Sequence, residues 1–270
     1  PYKIVNNFLE ASGENILFGG GPATNTPADI EIRHNHLFKP MTWRQGEAGF
    51  VGGKSGKPFI VKNHFELKNA QRVLFEGNVL ENTWGGFSQS GFSILLTPKN
   101  QGNRCPTCQV TDITIRYNKI INVGAVFQIA NAKSDAGGAS QAGERYSIHD
   151  LIVSNVRFEK NDSFGNFALI GSNMPPLKDV SIQHVTALVP RAIFSIFSPA
   201  DHKIENFTVS NNIFGSSFNR QIGSTGGGPR NCSFRPDAQG PDGVLKSCFV
   251  NLRFERNLII GWGKWPANNV

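Results

Sequence analysis

The chain has few charged residues and almost no methionine. Only 17% of its 270 residues are charged and only two are Met, whereas about 25% of the residues in an ordinary globular domain are charged. Disordered chains combine high net charge with few aromatic residues, so the low charge and the 21 Phe residues argue against disorder. No apolar run approaches the roughly 18 residues of a transmembrane helix, so we expect no membrane span.

Runs of basic residues are also missing. The 27 Lys and Arg residues and 20 Asp and Glu residues give a net charge of +7, but the basic residues are scattered along the chain. A mildly basic surface suits an anionic partner such as an acidic polysaccharide. Without a basic run, we expect no nucleic-acid partner. The oligomeric state is left open.

Asparagine and glycine are abundant, with 27 Asn and 29 Gly. Because both, like Phe, are middling or poor helix formers, a helical bundle is disfavoured. A seven-residue pattern recurs instead: Asn or Asp, then apolar residues at the second and fourth positions, then Asn at the seventh. Its period-2 alternation predicts a β-strand. The seventh positions are Asn7, Asn35, Asn78, Asn118, Asn161, Asn212 and Asn257. One further copy ends at Val185, which replaces the Asn.

These copies end 24 to 45 residues apart, which suits the turns of a parallel β-solenoid with loops inserted in the longer turns. A second strand follows each copy, and a third is expected within the turns. The second strands are predicted at 16–18, 65–68, 92–96, 127–130, 167–170 and 193–196. We therefore predict an all-β fold, a right-handed parallel β-helix of about eight coils. It is a single domain over residues 1–270. Because the first copy stands at the start of the sequence, we expect a fragment of a longer chain.

Stacked coils lie about 4.8 Å apart, so equivalent residues form rows along the helix. An Asn at a turn can hydrogen-bond the next coil and tolerates a left-handed backbone, which predicts a structural Asn ladder. Two positions before each seventh residue, an outward row alternates in charge and predicts ion pairs between coils. Its first members are Arg33, Glu76, Arg116 and Glu159.

The four cysteines lie in two places. Cys105 and Cys108 form a C-x-x-C motif, and Cys232 and Cys248 flank a loop. A redox motif would need a helix after Cys108, and a zinc site would need a second Cys/His pair nearby. We predict that all four form disulfides, without assigning the pairing. This indicates an oxidising compartment, and hence a secreted or cell-surface protein.

Long inserts are predicted at 38–58, 79–91, 99–111, 132–150 and 224–250. The last three precede a first strand and therefore leave the same corner, where loops usually build the binding face of a solenoid. Polar and aromatic residues that could bind sugars lie in or beside the inserts. We take the substrate-binding candidates to be Trp43, Trp84, Gln89, Lys99, Asn100, Gln101 and Gln128.

The segment from Lys62 to Asn69 carries the most chemistry. In the predicted strand, Phe65 and Leu67 point inward, whereas Glu66 and Lys68 point outward, about 7 Å apart along the strand. Together with Trp84 and the nearby amides, they form a patch that could bind sugar hydroxyls and stack on sugar rings. The alternative is that Glu66 and Lys68 form only an ion pair and Trp84 only covers a loop.

These residues also resemble a known group of proteins. Phe65 to Ala70, Arg72-Val73, Gly77-Asn78, Glu81-Asn82 and Trp84, followed by Thr97-Pro98 and Asn100-Gln101, are similar to a motif of uncharacterised secreted bacterial β-helix proteins. The whole chain resembles the pectate-lyase-like superfamily. That superfamily includes lyases, glycoside hydrolases, esterases, phage tailspikes and adhesins, so the resemblance implies the fold and a polysaccharide partner more than an activity.

The enzyme chemistries of that superfamily leave two hypotheses. A calcium-dependent lyase needs a cluster of Asp, and none is evident, so we predict no metal and no other cofactor. A metal-free lyase could use Lys68 as base and Arg72 or Arg116 to neutralise a uronate, and Glu66 is the third catalytic candidate. A hydrolase needs two carboxylates at roughly 5–9.5 Å. The second hypothesis is a non-catalytic module that binds glycans, adheres or plays a structural role.

Overall fold

The computed structural model describes residues 1–86, 89–131, 141–159, 163–216, 222–224, 228–238 and 240–261. Within these ranges the chain forms 23 strands, the helix α1 (Gly240–Cys248) and five short 3-10 helices. The strands are β1 (Tyr2–Val5), β2 (Phe8–Glu10), β3 (Ile16–Phe18), β4 (Ala28–Arg33), β5 (His36–Phe38), β6 (Phe65–Leu67), β7 (Ala70–Glu76), β8 (Val79–Glu81), β9 (Gly85–Gly86), β10 (Gln89–Ser90), β11 (Phe92–Leu96), β12 (Val110–Arg116), β13 (Lys119–Ile121), β14 (Ala125–Ala130), β15 (Gly143–Ser154), β16 (Ala168–Gly171), β17 (Lys178–Val189), β18 (Phe194–Phe197), β19 (Ile204–Ser210), β20 (Ile213–Ser216), β21 (Ile222–Ser224), β22 (Phe249–Glu255) and β23 (Leu258–Gly261). The 3-10 helices are Met41–Trp43, Lys54–Gly56, Gln101–Asn103, Gly228–Arg230 and Cys232–Phe234.

Each coil contributes up to three strands, and equivalent strands of successive coils pair in parallel. Sheet 1 contains β1, β4, β7, β12, β15, β17, β19 and β22. Sheet 2 contains β2, β5, β8, β13, the later halves of β15 and β17, β20 and β23, and these two long strands join the sheets. Sheet 3 contains β3, β6, β11, β14, β16, β18 and β21. The described residues therefore form a parallel β-helix of eight coils, as predicted, and sheet 2 is the expected third strand.

The core lies inside the coils and is filled by the inward residues of the three sheets. Phe65 of sheet 3 and Phe75 of sheet 1 stack with their ring centroids 4.4 Å apart. Phe127 and Phe167, from coils further along, pack edge to face. Because the coils stack, equivalent inward positions have the same surroundings in each coil, and the same residue type can fill them. This explains the abundance of Phe.

The predicted Asn ladder exists, but in two parts. The first part runs through Asn7, Asn35, Asn78 and Asn118, whose side-chain amides hydrogen-bond from coil to coil. The second joins Asn212 to Asn257. Leu151 and Val185 occupy the equivalent positions of the two coils between them. Both are fully buried, so the gap is filled by apolar contact.

The prediction of a first strand at 155–161 is wrong. In that coil, sheet 1 is formed by β15, in which Tyr146 pairs with Ile113 and Ile148 pairs with Ile115. Residues 155–159 follow the strand as a loop, and Asn161 lies outside the described residues. Both segments show the same apolar alternation. The strand is formed by the earlier one, which carries Leu instead of Asn at the turn.

The charge row changes with it. Arg33, Glu76 and Arg116 are neighbours in register, and Arg116 Nε donates to Glu76 Oε2 over 2.6 Å. His149, rather than Glu159, lies beside Arg116 in the next coil. Glu159 pairs instead with Arg44 in a loop.

All five predicted inserts contain strand residues. Residue 38 belongs to β5, 79–81 to β8, 85–86 and 89–90 to β9 and β10, 110–111 to β12, 143–150 to β15, and 224 and 249–250 to β21 and β22. The insert 224–250 also contains α1, which the sequence did not predict. The cysteines pair as Cys105–Cys108 and Cys232–Cys248. The second disulfide links a 3-10 helix to the last residue of α1.

Candidate functional site

Sheet 3 lies between two sets of inserted segments. The segments that connect β11 to β12, β14 to β15 and β21 to β22 leave the same corner, as predicted. The segments that connect β5 to β6, β8 to β11 and β15 to β16 leave the opposite corner. The outer face of sheet 3 is therefore the surface that inserts flank on both sides, and most of the predicted site residues lie on it or beside it.

The outer face of sheet 3 is not one continuous polar patch. Phe65 and Leu67 belong to the core, as predicted. Glu66 and Gln128 stand on the outer row but are separated by Leu95. An apolar cluster forms there from Phe92, Leu95 and Ala125, with Phe164 and Leu169 packed against it. The middle of this face is thus apolar, and the polar residues lie around it.

Glu66 and Lys68 form a shielded ion pair. Lys68 Nζ lies 3.1 Å from Glu66 Oε1, and Asn63 Nδ2 donates to the other oxygen over 3.0 Å. The Glu66 side chain is only 3% exposed and that of Lys68 is 21% exposed. Both carboxylate oxygens are therefore occupied, and the ammonium of Lys68 is held by a negative partner.

Arg72 lies on sheet 1, across a corner of the coil from Lys68. It occupies a row of residues with left-handed backbone, φ 52° at Arg72 and 59° at Asp29. Its guanidinium makes a bidentate contact with Asp29 of the preceding coil, 2.7 Å and 3.0 Å, and this contact raises the pKa of Arg72. Asp112 and Arg145 repeat the arrangement further along. Arg72 is thus one of a row of residues that form ion pairs between successive coils.

A buried polar cluster that sequence reasoning missed lies behind the Glu66–Lys68 pair. Lys39 is fully buried, and its ammonium donates to the carbonyl oxygens of Ala11 and Gly13 and to Asn15 Oδ1 over 2.6–2.8 Å. Burial lowers the pKa of Lys39 to about 7. Only the tertiary structure brings these oxygens together, so no motif identifies Lys39.

His64 is part of the same region. Its ring nitrogens lie 2.9 Å from Ser93 Oγ and 3.0 Å from the carbonyl oxygen of Glu81. Burial lowers the pKa of His64 well below its usual value, and the nearby Lys39 adds to this effect. The imidazole is therefore neutral. His64 and Ser93 are both fully buried, so they hold the corner together and do not reach solvent.

A cleft of about 450 Å³ opens between the insert after β5 and the turn after β8. We call it the Trp84 cleft; Trp84, Phe59 and Arg44 are among its lining residues. Trp43 lies behind it, with its ring centroid 5.1 Å from that of Phe59. Of the two predicted tryptophans, Trp84 lines the cleft with only 6% of its surface exposed, whereas Trp43 does not line it and contacts the lining residue Phe59. The volume of the cleft lies within the roughly 300–1,000 Å³ of ligand pockets.

The charges beside the Trp84 cleft are balanced by contacts that the sequence did not predict. Arg44 Nη1 lies 2.8 Å from Glu47 Oε1, and its Nη2 contacts Glu159. Both carboxylates therefore contact the same guanidinium, and these contacts fix the position of Arg44 at the wall of the cleft.

The remaining predicted residues lie at the edges of this surface. The backbone N–H of Lys99 donates to the carbonyl of Lys68 over 3.1 Å, so Lys99 follows the ion pair by one coil. Asn100 Oδ1 accepts a hydrogen bond from the Cys105 backbone and is a structural contact. Gln101 begins the 3-10 helix beside it. The backbone of Gln89 pairs with Gly86 in the β9–β10 hairpin, and its side chain lies outside the described residues.

Among the described residues, no group of three His, Cys, Asp or Glu side chains is arranged to hold a metal ion. None of the described helices is both long and apolar enough to cross a membrane. No protein family, curated protein or solved structure gave a significant match to the chain.

Proposed function

We propose that the protein is a polysaccharide-binding β-solenoid of the pectate-lyase-like superfamily that holds sugar rings in the Trp84 cleft. The observation that supports this is a cleft of ligand size beside sheet 3 that Trp84 and Phe59 line, with Trp43 packed against Phe59. Aromatic faces with a few polar groups around them are what a sugar ring needs, because its C–H face is apolar and its hydroxyls are polar.

The overall charge extends the proposal to anionic polysaccharides. The net charge of +7 attracts a polyanion over the whole surface, while Arg44 is already neutralised by Glu47 and Glu159. The attraction therefore comes from the rest of the protein, and the cleft supplies the ring contacts. Secretion or display at the cell surface accords with the two disulfides.

Binding without catalysis is the form of this proposal that the contacts support. The ammonium of Lys68 is paired with Glu66, and Arg72 is paired with Asp29 on another sheet. A lyase that used Lys68 and Arg72 would have to break both contacts. Binding to the Trp84 cleft breaks neither.

The test is a binding titration with acidic and neutral polysaccharides, followed for retardation in affinity gels and for unsaturated products by ultraviolet absorbance. We expect binding without new absorbance, and weaker binding by Trp84→Ala and Trp43→Ala. Tyr117→Ala is the matched control, because Tyr117 is 59% exposed in the turn between β12 and β13. Because Trp84 is nearly buried, each variant is first compared with the wild type by thermal unfolding.

Three outcomes decide between the hypotheses. Equal binding by folded Trp43→Ala, Trp84→Ala and Tyr117→Ala proteins would contradict the role of the cleft. Ultraviolet absorbance that disappears in Lys68→Ala would establish a lyase. The absence of binding to every polysaccharide would reject the glycan proposal.

A further inference from the structure

A second cleft lies at the other end of the helix and involves none of the residues discussed so far. It occupies about 440 Å³ where β18 ends, and Phe197, Asp201, His202, Arg230 and Asn231 are among its lining residues. We call it the Phe197 cleft. It lies at the corner where sheet 3 leads into sheet 1, opposite the corner that carries the Trp84 cleft.

The walls of the Phe197 cleft are fastened together by backbone contacts. The N–H of Ala200 donates to the carbonyl of Arg230 over 3.0 Å, and the N–H of Cys232 donates to the carbonyl of Ser198 over 2.9 Å. The Cys232–Cys248 disulfide then ties this wall to α1. The side chains are therefore presented from a preformed frame, which lowers the entropy lost on binding.

Arg230 offers a charged group to the Phe197 cleft. Among the described residues, no carboxylate lies within ion-pair distance of the exposed Arg230 guanidinium. The Nδ1 atom of His202 is buried and has no hydrogen-bond partner in the same part of the chain. Asp201 lies 3.8 Å from the other ring nitrogen of His202 and is 79% exposed. Phe197 is 45% exposed, so its ring is accessible to a ligand in the cleft.

We propose that the Phe197 cleft binds a small ring that carries a carboxylate. The ring packs on Phe197, and the carboxylate pairs with Arg230. A planar guanidinium binds a carboxylate through two parallel hydrogen bonds, which makes it selective for this group over a neutral one. A sugar acid and an aromatic acid share this chemistry. The proposal does not depend on the Trp84 cleft.

The experiment is a calorimetric or NMR titration of the intact protein with three probes. Sodium galacturonate is the sugar acid, sodium benzoate is the aromatic acid, and galactose is the neutral sugar. We expect at least one acid to bind and galactose not to bind. Arg230→Gln should weaken acid binding by about tenfold or more, since a charge-assisted hydrogen bond is lost. Phe197→Ala should also weaken it.

Arg235→Gln is the matched control, because Arg235 belongs to the same disulfide-linked segment but does not line the cleft. Equal affinity of Arg230→Gln and Arg235→Gln for the acids would overturn the proposal, as would the binding of neither acid by the wild type. Preference for galacturonate would identify a sugar acid, and preference for benzoate an aromatic acid. Trp84→Ala should leave this binding unchanged, which separates it from the proposed polysaccharide site.

Discussion

Asn35 and Asn78 are 43 residues apart in the sequence and one coil apart in the structure. The side-chain amide of Asn35 donates to Asn78 Oδ1 over 3.1 Å, and the same oxygen accepts the Asn35 backbone N–H over 2.9 Å. The amide of Asn78 in turn reaches Asn118 Oδ1 and the carbonyl of Ile32. One side chain therefore pairs donors and acceptors of three successive coils.

We expect Asn78→Ala to lower the free energy of unfolding by about 2–4 kcal/mol, because it leaves the buried N–H of Asn35 without a partner. Asn7→Ala is the control. Asn7 is exposed and lies in the first coil. Asn7→Ala should therefore lower the free energy of unfolding by less than about 1 kcal/mol. Urea unfolding measures both, and equal losses would refute the ladder as a source of stability.

The buried ammonium of Lys39 predicts that the stability of the protein depends on pH. Burial lowers the pKa of Lys39 from 10.5 to about 7 in the folded protein. The folded state therefore binds fewer protons than the unfolded state between these values, and stability rises with pH across this window. Below pH 7 Lys39 is protonated in both states, so its contribution no longer changes with pH. Its slope is at most about 1.4 kcal/mol per pH unit for one group.

The measurement is the free energy of unfolding at pH 7 and pH 9.5 for the wild type and for Lys39→Met, which does not titrate. We expect the difference between the two proteins to change with pH in favour of the wild type. If the difference between the two proteins were the same at both pH values, Lys39 would titrate normally in the folded protein, and the oxygens around its ammonium would be open to water.

The two disulfides should differ in their contribution. Cys232 and Cys248 are separated by 16 residues, whereas Cys105 and Cys108 are separated by three. Loop-closure entropy gives about 3 kcal/mol for the longer loop and about 2 kcal/mol for the shorter one. The double variant Cys232→Ser/Cys248→Ser should therefore unfold at lower urea than Cys105→Ser/Cys108→Ser. The reverse order would mean that native contacts, and not loop closure, decide the effect.

Gly91 should not tolerate a side chain. It has a φ of 77°, and a Cβ there would lie 2.7 Å from the backbone of Gly124 in the next coil. Gly91→Ala combines a left-handed alanine with a backbone clash, so we expect a loss of more than about 2 kcal/mol. Gly13→Ala meets no atom within 4 Å and should be nearly neutral in a thermal unfolding assay. Equal melting temperatures would contradict the close stacking of these corners.

Much of the fold could be predicted because a solenoid repeats its pattern. The alternation around Ile30, Ile113 and Phe207 identified first strands, and six second strands were found from their apolar residues. The prediction of a first strand at 155–161 was wrong, because two adjacent segments show the same alternation of apolar residues. The pairing of Tyr146 with Ile113 and of Ile148 with Ile115 selects the earlier segment. A turn residue alone could not make that choice, because Leu151 fills the Asn position by apolar contact.

The site was less predictable than the fold. Trp43 and Trp84 were identified as sugar-binding candidates from residue type, but the cleft that Trp84 lines depends on Phe59 and on the arginine that bridges Glu47 and Glu159. Arg44 and Glu159 are 115 residues apart. Insert geometry of this kind has no period, so no sequence pattern reports it.

The sequence by itself determined the strand periodicity, the Asn positions that stack and the inward apolar residues, because each is a local choice repeated by every coil. The tertiary structure decided which strands stack at the fifth coil, how Glu66 and Lys39 are buried, and which loops meet at the two clefts. The physical reason is that these features depend on contacts between residues tens of positions apart. Register and insert packing settle such contacts, whereas local alternation does not.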